Sequence, residues 1–236
     1  MSVIQGARER ARREVTAAIK GEARRQLATE GAAKLSLRAV ARELGMVSSA
    51  LYRYFPSRDD LLTALIIDAY DAVGEAAEHA LAGAGAGAAP VARWTAVCRA
   101  VRDWALEHPH EYALIYGSPV PGYAAPQATT ASAARVGLAL IGVVEDAYPA
   151  GVSPAPAAPS LPHEVLDDAE ELRKTLDVRL PAPVLAEIAA AWAELFGLVS
   201  FEVFGQFNRV IEARDAFFAR AATRLAQNVG LAVGGE

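Results

Sequence analysis

An all-α fold is expected from three features of this 236-residue sequence. Ala-rich stretches free of Gly and Pro run for whole helix lengths, and Ala and Leu are among the better helix formers. Apolar residues recur every three to four positions, the period of a helix with one buried face. Gly, Pro and Ser fall where such stretches would start or stop, and no run alternates as a strand would. The length suits one or two domains with a substantial core.

Taken in order, Val15, Ile19, Ala23 and Leu27 make one stripe of a helix over residues 8–30, closed by Gly31. Ser36 caps a short helix carrying Leu37, Val40, Ala41 and Leu44, and Gly45 ends it. A third helix runs from Val47 or Ser48 to Tyr54, stopped by Pro56. Ser57 caps a fourth, whose first turn carries Asp59 and Asp60 and whose stripe is Leu61, Leu62, Leu65, Ile66, Ala69, Val73 and Ala76. GAGAGAA at 83–89 is a link. Helices follow at 90–107, 109–116, 128–147, 182–208 and 213–229, with a Gly/Pro loop at 117–127. The Pro/Ala-rich stretch 149–162 is expected to be extended and mobile, and the charged segment 163–180 a solvated helix or partly disordered.

Charge is divided unevenly. Residues 1–60 hold 12 Lys and Arg against 7 Asp and Glu, whereas residues 61–236 hold 11 against 21. A basic head on an acidic body suits a chain that meets a polyanion at one end, although charge by itself does not separate this from chance. The lone Cys98 excludes an intrachain disulfide and fits a reducing compartment. No signal-peptide pattern and no uninterrupted apolar run of membrane-spanning length is present, so a cytoplasmic location without membrane contact is expected. Enzyme chemistry finds little support. His108-Pro109-His110 has no Cys or carboxylate cluster at metal spacing and is read as a helix start; Cys98 is read as a buried small hydrophobe. No metal, cofactor or catalytic group is assigned.

Residues 36–55, SLRAVARELGMVSSALYRYF, meet the local demands of a helix-turn-helix. Ala41 is small where two helices would cross, Gly45 tolerates positive φ in the turn, and Leu51 plugs back into the core. The second helix could then enter a DNA major groove. Ser36 can bond phosphate through its hydroxyl and backbone N–H, Arg38, Arg42, Arg53 and Arg58 offer cationic contacts, and Tyr52 and Tyr54 carry hydroxyls on rigid rings. Arg53 could equally be a solvated face, and the arginines ahead of residue 14 either form a flexible arm along the DNA backbone or do nothing specific.

The segment from about Ala17 to Leu65 resembles the DNA-binding domain of the TetR family of bacterial regulators. Its most specific part is Ala50-Leu51-Tyr52-Arg53-Tyr54-Phe55-Pro56-Ser57-Arg58-Asp59-Asp60-Leu61-Leu62, similar to the family's Tyr-x-His-Phe-x-Ser/Asn-Lys-x-x-Leu signature. The resemblance implies a base or phosphate contact for Tyr52, and backbone or base contacts for Ser36 and Arg38. It implies a phosphate contact for Arg58, which stands where Lys is usual, and a phosphate donor in Tyr54, which stands where His is usual. Val47 replaces a capping Ser or Thr, leaving Ser48 or Ser49 to cap the recognition helix. It further implies residues 8–56 as the reading head and 57–236 as a ligand-binding and dimerisation domain.

The segment 182–208 carries only Glu187, Glu194 and Glu202 as charges, spaced seven and eight apart and so expected on one line of the helix. A helix apolar on nearly all other sides should face its own core and a second subunit. Ile188, Leu195 and Val199, with Phe217, Phe218 and Leu225 of the last helix, are the expected interface, and Gly197 and Gly205 share a face there. Trp192, Gly197 and Gly205 also resemble the C-terminal domain of one large TetR subgroup. Trp94, Trp104, Tyr112, Tyr116, Trp192, Phe196 and Phe201 are candidate pocket residues, each of which ordinary core packing would also explain. A symmetric dimer predicts a palindromic DNA operator. The family resemblance implies repression relieved by a small apolar or aromatic ligand. A chromosome-organising DNA binder without a ligand is the alternative, and a dimeric module without DNA function a third.

Overall fold

Side-chain caps at Ser36 and Ser57 set the starts of two helices in the computed structural model, which describes residues 3–148 and 161–231. Ten α-helices and two short 3-10 turns form among these residues, with no strand. They are α1 (Val3–Glu30), α2 (Leu37–Glu43), α3 (Ser48–Leu51), α4 (Arg58–Ala84), α5 (Pro90–Glu107), α6 (Pro109–Tyr116), α7 (Thr130–Ala147), α8 (His163–Leu176), α9 (Ala182–Val203) and α10 (Arg214–Asn228). The 3-10 turns are Ala32–Lys34 and Gln127–Thr129.

The chain folds as two compact units. The first runs to Tyr70 and also takes His108–Ala131; the second comprises Asp71–Glu107 and the residues from Ser132. The division therefore differs from a cut at Pro56/Ser57. The cause is in α6 and the loop after it. Arg24 of α1 donates from Nε to Glu111 of α6 at 2.9 Å and from Nη2 to Asp68 of α4 at 2.6 Å. Leu114, Val120 and Tyr123 pack on the core of α1–α4. Tyr123 also hydrogen-bonds Thr63 at 2.9 Å.

That core comprises Ile19, Ala23, Leu27, Leu35, Leu37, Val40, Ala41, Leu51, Phe55, Leu61, Leu62 and Leu65. It draws on the expected stripes of α1, α2 and the start of α4, with Leu51 and Phe55, and adds Leu35; Val15 and Leu44 are only partly buried against it. Such short helices hold together because each buries one apolar face in a shared interior.

In the second unit, α5 packs on α9 and α10, and α8 on α9. Buried α5 residues include Trp94, Val97, Cys98, Val101 and Ala105. Burial pushes the Cys98 thiol up to about 12, so it stays protonated and inert. Arg135 of α7 grips α4 through Glu78 at 2.7 and 2.8 Å and through the Asp71 carbonyl at 3.0 Å. Gly74 lies beneath it. A Cβ added at Gly74 would meet the Arg135 Cβ at 2.7 Å. Glycine inside a helix usually costs about 1 kcal/mol against alanine. Here the clash outweighs that gain, and Gly74→Ala is expected to destabilise the unit by about 1–3 kcal/mol in a urea melt.

Several expectations are redrawn. Helix α4 runs through Gly83 and Ala84, part of the expected link. Helix α9 ends at Val203, so Gly205, at φ +77°, lies in the turn beyond it and not on a helix face with Gly197. The charged segment after residue 162 forms helix α8, and Asp177 in the left-handed region closes it. Residues 149–160 of the Pro/Ala-rich stretch lie outside the described residues. Residues 127–147 and α9 are long and apolar enough to cross a membrane by composition. In α9, however, Glu202 points inward to a buried partner.

Candidate nucleic-acid interface

The turn between α2 and α3 is built as the sequence requires. Ser36 accepts the Ala39 N–H at 3.4 Å and starts α2. At the other end, the Gly45 N–H reaches the Arg42 carbonyl at 3.1 Å and the Met46 N–H reaches Ala41 at 2.8 Å, with Gly45 at φ +64°. This left-handed closure satisfies carbonyls that a helix end would otherwise orphan. It turns the chain so that Leu51 returns to the core fully buried.

Helix α3 then presents its other side. Val47 is 70% exposed and Tyr52 41% exposed, and Ser48, Ser49 and Arg53 are also exposed. Arg38 and Arg42 of α2 are exposed beside them. A short capped helix with one face locked in a core and the other carrying hydroxyls and guanidinium groups is a suitable base- and phosphate-reading surface.

The structure changes the expected role of four residues. Val47 occupies the cap position of α3 without any side-chain bond, so neither Ser48 nor Ser49 is the cap; both lie in its first turn. Tyr54 packs against the core, and the Arg12 guanidinium lies 5.4 Å over its ring. Arg58 donates from Nε to the Leu35 carbonyl at 3.2 Å and from Nη2 to the Ala32 carbonyl at 2.9 Å. It is therefore held as a strut between α4 and the 3-10 turn. The Ser57 hydroxyl accepts the Asp60 N–H at 3.1 Å and donates to its carboxylate at 2.7 Å, fixing where α4 starts.

The residues expected around a pocket are divided between the two units. Trp94 and Trp104 are buried on α5 in the second unit, as is Phe196 on α9. Tyr112 and Tyr116 belong to the first unit. There their rings lie 5.2 Å apart, and Tyr116 meets Tyr70 edge-on at 6.0 Å. Burial raises the Tyr116 hydroxyl well above its ordinary range, keeping it neutral. Trp192 and Phe201 face outward, at 36% and 53% exposed.

Ile188, Leu195, Val199, Phe218 and Leu225 are buried within their own unit, so they stabilise the subunit and form no free face. Only Phe217 of the expected set is partly exposed. It meets Phe207 edge-on at 5.5 Å, and Phe207 lies 5.6 Å from Phe201. Trp192, Phe201, Phe204 and Val210 are each exposed. Leu198, Phe217, Ala221, Arg220, Arg224 and Gln227 line a neighbouring groove of about 490 Å³.

Sequence reasoning missed the most buried charge pair. Arg102 of α5 donates from Nε and Nη2 to Glu202 of α9 at 2.6 and 2.7 Å, and from Nη2 to Asp215 of α10 at 2.7 Å. Its guanidinium also lies 5.1 Å over the Phe218 ring. Glu202 is thus turned away from the line of Glu187 and Glu194.

A capped helix-turn-helix with an exposed polar recognition face, joined to a second all-helical unit, defines a DNA-binding transcriptional regulator. Two family models match the chain: "Bacterial regulatory proteins, tetR family" over residues 21–65, and "Tetracyclin repressor-like, C-terminal domain" over residues 94–225. The chain is 39% identical over 227 residues to the HTH-type transcriptional regulators Mb1846 of Mycobacterium bovis and Rv1816 of Mycobacterium tuberculosis, covering 93% of this chain and 94% of each relative. A crystal structure of SCO4313 superposes with a TM-score of 0.75 at 33% identity, over 93% of this chain and 98% of that one. A tetR-family regulatory protein from Rhodococcus RHA1, 16% identical with a TM-score of 0.56 over 92% of this chain and 98% of that one, shares the fold. The chain belongs to the TetR family of bacterial transcriptional regulators.

Proposed function

We propose that the chain is a homodimeric cytoplasmic repressor that reads a palindromic operator through α3 and releases it when the second unit binds a small apolar or aromatic ligand. The observation that carries the DNA half is the exposed face of α3, where Ser48, Ser49, Tyr52 and Arg53 stand opposite the fully buried Leu51. The exposed Phe201, in ring contact with Phe207 and through it with Phe217, supports the dimer, because large apolar side chains clustered at a surface favour burial against a partner. Trp94 supports the ligand half: its indole N–H is buried without an acceptor among the described residues, and a ligand oxygen would satisfy it. Release requires the ligand to bind one conformation of the regulator more tightly than the other.

The test is affinity for duplexes that the purified chain selects, with wild type and Tyr52→Ala compared. The loss expected for Tyr52→Ala is about 1–2 kcal/mol, roughly tenfold. Unchanged affinity would remove α3 as the reading element. Occupancy of many unrelated sites, unaffected by any apolar or aromatic small molecule, would favour a chromosome-organising role instead.

A further inference from the structure

The inward face of α1 changes character along its length. Val15, Ile19, Ala23 and Leu27 face the helix-turn-helix core. At 100° per residue, Arg12 and Arg8 fall within about 40° of the same stripe, continuing it towards the N-terminus. Arg10 falls roughly 160° away. A face that packs on the core for three turns thus runs on as two arginines, and both are exposed.

The stacking of Arg12 over Tyr54 fixes where that face goes. Tyr54 lies two residues past Tyr52 and is anchored by its N–H to the Leu51 carbonyl at 2.8 Å. Arg12 is therefore held beside the C-terminal end of α3, and Arg8 stands one turn, about 6 Å, further out on the same face. A guanidinium stacked on a ring keeps its edge N–H donors available, and their fork matches phosphate oxygens. The cations of the second half of α1 differ. Lys20 and Arg24 bind Asp68, and Arg25 binds Glu22. Glu9 is the acidic neighbour of Arg12 on this side, in a cleft they share with Arg13.

We propose that Arg8 and Arg12 form a second DNA contact, gripping the phosphodiester backbone that flanks the bases read by α3. The proposal rests on α3 being the reading element. The contact is to backbone and not to bases, so it adds affinity to every sequence and lengthens the footprint on each side of the operator.

The experiment measures the dependence of log K on log salt concentration for the purified full chain. It uses a duplex selected by that chain and a mixed-sequence duplex of the same length. Abolishing one protein–phosphate ion pair flattens the slope by about 0.9 on B-DNA. Arg8→Ala with Arg12→Ala should flatten it by about 1.8 on both duplexes, while Arg8→Lys with Arg12→Lys keeps the wild-type slope and Arg10→Ala leaves it unchanged. If removing Arg12 loosens Tyr54, Arg8→Ala alone carries the test, with a change of about 0.9. An unchanged slope in the double alanine variant overturns the proposal, as does an equal change from Arg10→Ala. Tyr52→Ala run alongside separates the two claims: if it leaves affinity unchanged, the reading of α3 itself has failed.

Discussion

Replacing Arg102 with alanine is expected to lower the stability of the second unit by about 3–5 kcal/mol, because it strands the buried Glu202 carboxylate. The Arg102 side chain is only 9% exposed and that of Glu202 5% exposed. The pair makes two short charge-assisted bonds between helices a hundred residues apart in sequence. Removing one partner leaves an ion in an environment that cannot solvate it. Removing both with apolar groups of similar volume should cost much less, so Arg102→Met with Glu202→Leu separates the desolvation cost from the packing cost. Asp215 supplies an internal control. Its side chain is 93% exposed, and its loss should cost no more than about 1 kcal/mol. The three tryptophans, at 94, 104 and 192, all lie in this unit, so their fluorescence in a urea melt reports it alone. An Arg102→Ala midpoint indistinguishable from that of Asp215→Ala would refute a buried, charge-dependent link here.

Leu51→Ala is expected to destabilise the first unit by about 2–5 kcal/mol and to abolish DNA binding with it. Leu51 is fully buried and is the residue through which the recognition helix is held. Helix α3 has four residues, too few to be stable by propensity, so its packing decides whether it exists. Val47, 70% exposed at the other end of the same helix, is the control: Val47→Ala should stay within about 0.5 kcal/mol of wild type. Amide hydrogen exchange of α1–α4 reads the effect. Full protection in the Leu51→Ala variant would mean that the head is not held as described.

The head was legible in the sequence because its signals are local. Ala41, Gly45 and Leu51 each answer a demand set within ten residues, and Ser36 and Ser57 cap helices next to them. What the sequence hid depends on partners far along the chain. Glu202 has the same spacing signature as a solvated glutamate, and only Arg102, a hundred residues earlier, turns it inward. Arg58 reads as a free cation until the Ala32 and Leu35 carbonyls come beneath it. Helix α9 is apolar on nearly all sides, so periodicity had no means of telling which face meets its own core. That is why Leu195 and Val199 lie inside while Trp192 and Phe201 lie outside. The aromatic set is also divided by unit: α6 joins the first through Arg24 and Glu111, so Tyr112 and Tyr116 belong there and Trp94 and Trp104 to the second.

The central claim is that α3 reads DNA as one of a symmetric pair. Selection of fragments from genomic DNA by the purified chain, followed by footprinting of those retained, tests it most directly. The expected outcome is one or a few inverted repeats whose half-sites lie about one helical turn apart or somewhat more, protected by the wild type and unprotected by Tyr52→Ala. Retention of fragments without any shared repeat, or footprints that survive Tyr52→Ala unchanged, would contradict it.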